Sequence, residues 1–128
     1  VTRIDWTVVA LAAGGGLVII APGALVSEMV AGRVGGWVVW PFLALVLTGF
    51  TVSGLVAGRL RDDTPMLHGA LGAAFAFLAA LVAGVVIAAL RDRPLSLAAI
   101  PLTALLALTA GVAGSLLADL GRRRAVRR

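Results

Sequence analysis

The chain has 128 residues, of which 61% are apolar and only 13% charged, whereas an ordinary soluble domain carries about 25% charged residues. Its eleven basic residues are all arginine, its net charge is +5, and the charges cluster in short connections between long apolar runs. This excludes a water-soluble globule, which needs charge distributed over the skin of its core. It predicts an all-α integral membrane protein.

A hydrocarbon layer about 30 Å thick takes about 20 apolar residues in a helix. Four stretches meet that length: Trp6 to Val26, Trp37 to Gly58, Met66 to Leu90 and Leu95 to Ala118. Residues 1–128 therefore read as a single transmembrane domain, a four-helix bundle with a basic C-terminal tail over 122–128. A transmembrane barrel would instead show alternating segments of about 10 residues, and runs such as Leu71 to Leu90, rich in Ala, Leu and Gly, do not alternate.

The first span begins with an arginine ahead of an apolar run and passes through Ala21-Pro22-Gly23-Ala24, which in outline resembles a secretory signal. The length of the apolar run and Asp5 in its leading segment favour a retained helix. Gly14, Gly15 and Gly16 lie near mid-span. Each weakens a helix by about 1 kcal/mol relative to Ala, so the triplet serves either close packing or a helix break of the kind that builds transporter sites. Pro22 should release a carbonyl four residues earlier and kink the helix. Glu28, beyond that kink, reads as a surface acid paired with Arg33; the alternative is a functional carboxylate near the outer interface.

In the second span Pro41 falls in the tolerant first turn, and Gly54 and Gly58 form a small-residue pair at helical spacing. The third span is announced by Thr64 before Pro65, a capping hydroxyl ahead of a residue suited to the first turn, with Asp62 and Asp63 at the positive helix end. His68 follows one turn in, where it reads as an interfacial or bundle-facing hydrogen-bonder, the alternative being a haem or pigment ligand. Gly72, Ala76, Ala80, Gly84 and Ala88 then form one smooth face, expected at the bundle centre or at a subunit interface. Asp92, Arg93 and Pro94 mark the start of the fourth span, in which Pro101 should produce a second kink and Ala107, Gly111, Ser115 and Asp119 form a further ladder.

Arginines near the membrane set orientation. Eight (Arg3, Arg59, Arg61, Arg122, Arg123, Arg124, Arg127 and Arg128) fall on the side of both termini and three (Arg33, Arg91 and Arg93) on the other. This predicts an N-in/C-in topology in a bacterial inner membrane, with Trp6 at the inner interface and Trp37 and Trp40 at the outer one. Arg122, Arg123, Arg124, Arg127 and Arg128 read as contacts to anionic lipid headgroups, each worth about 1 kcal/mol, rather than to nucleic acid.

Cysteine, lysine and tyrosine are absent, which removes disulfides, thiolate metal sites, Schiff-base chemistry and tyrosyl acid chemistry. Ser53, His68, Ser115 and Asp119 all fall toward one end of their helices, but no sequence spacing links them into a nucleophile and base. No catalytic residue, cofactor or metal site is expected, so the chain reads as no enzyme.

The segment Gly49 to Gly72, GFTVSGLVAGRLRDDTPMLHGALG, resembles the small four-helix bacterial inner-membrane proteins called YrzE-like. Gly54, Gly58, His68 and Gly69 match a Gly-rich end of helix two and a His-Gly pair opening helix three; Ala110-Gly111-Val112-Ala113-Gly114 is similar to the family's fourth helix. The resemblance covers about half the chain. It implies a four-helix architecture and no particular reaction.

The expected function is accordingly that of a non-catalytic multi-pass membrane protein acting through helix packing, as a homo-oligomer or as an accessory subunit of a larger membrane complex. A small oligomeric transporter or channel is the alternative.

Overall fold

The computed structural model describes residues 4–30, 37, 39–60, 63–92, 97 and 99–126, apart from the side chains of residues 27, 28, 39 and 99. It is all-helical: α1 spans Trp6–Val30, α2 Val39–Leu60, α3 Pro65–Leu90 and α4 Ala99–Val126. At 1.5 Å per residue these helices are about 33–42 Å long. All four are long and apolar enough to cross a membrane.

The helices run up and down in turn, so the start of α1, the end of α2, the start of α3 and the end of α4 share one end of the bundle. In cross-section they form a lozenge. α1 packs on α2 and α3, α4 packs on α2 and α3, and α2 touches α3 across the short diagonal. α1 and α4 make no contact among the described residues.

Small and polar side chains predominate in the core, alongside Val8, Val9, Ile20 and Phe50. Its completely buried members include Ala12, Ala57, Ala73, Ala76 and Ala107 with Ser53, His68 and Ser115; Phe50 is the one large apolar side chain sealed as deeply. Leu11, Val18, Leu25, Leu78, Val82, Leu105 and Leu117 point outward. A water-soluble bundle has the opposite arrangement, with Leu and Val facing its centre.

Glycines set the helix separation. A Cβ on Gly54 would overlap the Gly111 carbonyl, and one on Gly114 would overlap the Thr51 carbonyl, so α2 and α4 meet backbone to backbone. On the α1–α2 side a Cβ on Gly16 would lie 2.9 Å from the Gly49 carbonyl oxygen. Between α3 and α4, a Cβ on Gly69 would lie 3.0 Å from the Gly111 carbonyl oxygen. These contacts run from the end that holds the start of α1 to mid-bundle, and Gly23 against Leu45 extends the α1–α2 approach beyond them. At the other end an apolar cleft of about 370 Å³ opens between α1 and α3, lined by Leu25, Met29, Ile87, Leu90 and Arg91.

One pair of alternatives is decided and two local expectations are corrected. α1 is unbroken through Gly14, Gly15 and Gly16: Gly16 packs against α2 while Gly14 faces open space, so the triplet relieves crowding on one side without interrupting the helix. Pro101 is the third residue of α4, because that helix begins at Ala99. It occupies the first turn, where no intrahelical bond is lost. The face of α3 is divided, with Gly72 and Ala76 buried, Ala80 half-buried and Gly84 open, because the other helices do not cover its far half.

Candidate functional site

The polar side chains of the bundle gather near its closed end, and His68 is at their centre. It sits one turn into α3 and is completely buried. Its Nε2 accepts a hydrogen bond from the backbone N–H of Asp5 at 3.1 Å. Its Nδ1 lies 2.9 Å from the Thr64 carbonyl oxygen and 3.0 Å from Thr64 Oγ1. Because Nε2 accepts, the proton resides on Nδ1, where it is shared by the two oxygens of Thr64. Both ring nitrogens are occupied and the ring is neutral in this arrangement.

Asp5 is held in turn by its own helix. Its Oδ1 accepts from the backbone N–H groups of Thr7 at 3.0 Å and Val8 at 3.4 Å, which makes it the N-cap of α1. The next residue, Trp6, packs edge-to-face on Phe75 of α3, with ring centroids 5.9 Å apart and planes at 89°. His68 and Phe75 are two turns apart on one face of α3. The hydrogen bond and the aromatic contact both join the start of α1 to α3. Sequence reading missed Asp5, although a capping residue directly ahead of an apolar run is a helix-start signal.

Thr64 does occupy the N-cap position of α3, with Pro65 in the first turn, but its hydroxyl makes no capping bond. This corrects the expected role. The hydroxyl turns to the His68 ring instead, and Pro65 removes one of the N–H groups that would otherwise need a partner.

The structure does not assemble Ser53, His68, Ser115 and Asp119 into a catalytic set. Ser115 Oγ donates to the carbonyl of Val112 at 2.7 Å. Asp119 pairs with Arg123 at 2.9 Å and Arg122 at 3.8 Å along α4. Ser53 Oγ is buried without a hydrogen-bond partner, and a Cβ on Gly72 would lie 3.0 Å from it. Neither serine faces an imidazole nitrogen. No group of three or more potential metal ligands occurs among the described residues.

Of the other sequence-derived positions, Gly54, Gly58, Gly111 and Ser115 meet at the α2–α4 seam, where a Cβ on Gly58 would lie 3.0 Å from the Ser115 backbone. Arg122, Arg123 and Arg124 project from the last turns of α4, which continues as helix to Val126. The Glu28 side chain, Arg33, Arg127 and Arg128 lie outside the described residues. Gly49, Gly69 and Gly114 were not placed in any of the small-residue ladders read from the sequence, yet they carry some of the closest approaches. Gly49, Ser53 and Ala57, and likewise Ala110, Gly114 and Ala118, have the four-residue spacing that could have found them.

Among known proteins, no family model, no curated protein and no solved structure matches this chain.

Proposed function

We propose that this chain is a multi-pass protein of a bacterial inner membrane, with both termini cytoplasmic, that acts through helix packing as a homo-oligomer or as an accessory subunit of a larger membrane complex. The observation that carries the membrane reading is the inverted character of the core, in which Ala, Gly, Ser and His predominate beside Val8, Val9, Ile20 and Phe50, while most of the Leu, Val, Trp and Met side chains are exposed. Such a distribution is favourable where the surroundings are hydrocarbon and helices associate by close backbone approach.

The hydroxyl groups support the same reading. Thr48, Thr51 and Thr109 each donate to a carbonyl one turn earlier, at 2.7, 2.9 and 3.0 Å. Thr48 and Thr109 are on the exterior, where water would satisfy them without help; bonding within the helix is what a lipid-facing hydroxyl requires. Trp6 lies at one end of the bundle and Trp37 and Trp40 at the other, all exposed, as residues of two interfacial belts would be. The arginines of the α4 extension would face anionic headgroups.

Packing is the favoured mode of action because the far half of α3, including Gly84, Val82, Val85 and Val86, is open and available to a partner helix. Two measurements test the proposal. Alkaline washing should leave the chain in the membrane fraction, and reporter fusions should place both ends on the cytoplasmic face. Native mass measurement in mild detergent should show an oligomer or a co-purifying subunit. Extraction by alkali overturns the membrane reading, and a strictly monomeric, partnerless species overturns the mode of action.

A further inference from the structure

The apolar cleft between α1 and α3 has the profile of an amphiphile. Its walls are Leu25 and Met29, one turn apart on α1, and Ile87, Leu90 and Arg91 within about one turn at the end of α3. The apolar stretches of these helices end at Val26 and Leu90, so Leu25, Ile87 and Leu90 lie within them while Met29 and Arg91 lie just beyond. The lining is therefore apolar up to the level where hydrocarbon would stop, and it carries one cation at that level. Leu25, Met29 and Leu90 are each more than half exposed, which leaves the cleft open to whatever surrounds the bundle. Its volume of about 370 Å³ falls in the range of about 300–1,000 Å³ usual for small-ligand sites.

We propose that this cleft binds one anionic phospholipid, with part of an acyl chain between Leu25, Met29, Ile87 and Leu90 and the phosphate at the guanidinium of Arg91. The site rests on the membrane reading above, because a bilayer supplies such a ligand at this height. The walls of an unfilled groove forfeit dispersion contacts, and a flexible acyl chain can follow a cleft only one turn long on each wall. A guanidinium presents a planar fork of donors that pairs with a phosphate through two parallel bonds. The stem of an arginine can meanwhile lie along apolar surface with its head in the interface, and basic pockets between membrane helices are suited to lipid headgroups.

Charge selects this occupant over a second copy of the chain. The charged residues that flank the cleft in sequence are Glu28, Arg33, Arg91, Asp92 and Arg93, three arginines against two acids. A copy docked on the same face about a two-fold axis would bring Arg91 toward Arg91, whereas a phosphate offsets the excess. Arg122, Arg123 and Arg124 belong to the opposite end of the bundle, so this site is independent of the lipid contacts proposed for the end of α4.

The full chain in phosphatidylcholine vesicles, probed with a trace of phosphatidylglycerol carrying a photoreactive group on its acyl chain, tests the site. Label should be enriched about tenfold, the scale of one hydrogen bond to a charged group, at Leu25 to Met29 and Ile87 to Arg91 over the rest of the outward surface. Photoreactive phosphatidylcholine with the same acyl chains should show no such enrichment. Arg91→Gln should abolish the enrichment and Arg91→Lys should keep part of it, with labelling near Arg122 to Arg124 unchanged in both. Met29→Trp, at a side chain that is 71% exposed, should displace the lipid by filling the cleft while helix content stays that of the parent. Equal enrichment with the two headgroups, enrichment that survives Arg91→Gln or Met29→Trp, or a chain-to-chain cross-link through the cleft in place of lipid would each overturn the site. A chain that resists alkali yet shows no enrichment overturns the site alone, whereas a chain that alkali extracts overturns the membrane reading beneath it.

Discussion

Gly54 and Gly111 bring α2 and α4 into direct backbone contact, since the Cβ that Gly54 lacks would overlap the Gly111 carbonyl. A carbonyl within a helix cannot swing aside as a side chain can, so Gly54→Ala must push the helices apart. The expected cost is about 1–3 kcal/mol, the usual range for overpacking. Gly14→Ala and Gly84→Ala, at glycines with nothing near them, should instead stabilise by about 0.5–1 kcal/mol through helix propensity alone. Denaturation in mixed detergent micelles ranks the three variants, and equal effects at Gly54 and Gly84 would show that the seam is not where the structure puts it.

Asp5 contributes a side chain to its own helix and a backbone group to His68. Asp5→Ala should therefore cost about 1 kcal/mol for the lost cap, whereas Asp5→Asn, which caps equally well and keeps the backbone N–H, should be close to neutral. Thermal unfolding of the pair separates capping from charge: if Asp5→Asn is as damaging as Asp5→Ala, the carboxylate matters for a reason other than its bonds to Thr7 and Val8.

Ser53 presents the opposite case, a completely buried hydroxyl with no partner. An unsatisfied buried polar group costs about 1–3 kcal/mol. Ser53→Ala removes that cost and little volume, so the variant should be more stable than the parent by up to about 1 kcal/mol. A loss of stability greater than that would mean that the hydroxyl is engaged.

Asp119 pairs with Arg123 four residues on, with Asp119 mostly and Arg123 barely shielded from solvent. Exposed pairs of this kind contribute at most about 0.5 kcal/mol and weaken with salt. Asp119→Asn should thus change the unfolding midpoint little at low salt and not at all at high salt. A large effect that persists in salt would mark Asp119 as part of the packed structure.

The number and placement of the helices were legible because apolar runs and charged connections alternate so plainly, and Thr64-Pro65 marks the start of α3 to within a residue. The start of α4 was not: Leu97 extends the hydropathy of the span but lies in a turn, and α4 runs from Ala99 on through the arginines to Val126. Hydropathy measures where a chain prefers to be and not which residues are helical. Pro101, placed two residues after the helix start, was the better marker. The polar centre was only half visible. A lone histidine one turn into α3 invites a partner, but the partner proved to be a backbone N–H on another helix, and no side-chain pattern encodes that. The glycine seams were visible as spacing, yet which ladder meets which depends on the crossing of helices, and so the open half of the α3 face could not be told from the packed half.

The placement of small residues at the centre also bears on where this chain can be assembled. In water it would have little to collapse around: turning the bundle inside out, to bury leucine and valine in place of alanine and glycine, would gain more than the native contacts offer. Released into an aqueous compartment, the chain should clump with its neighbours before finding this fold. On the proposed membrane reading, synthesis and insertion would have to be coupled, with each helix delivered to hydrocarbon before the glycine seams begin to close.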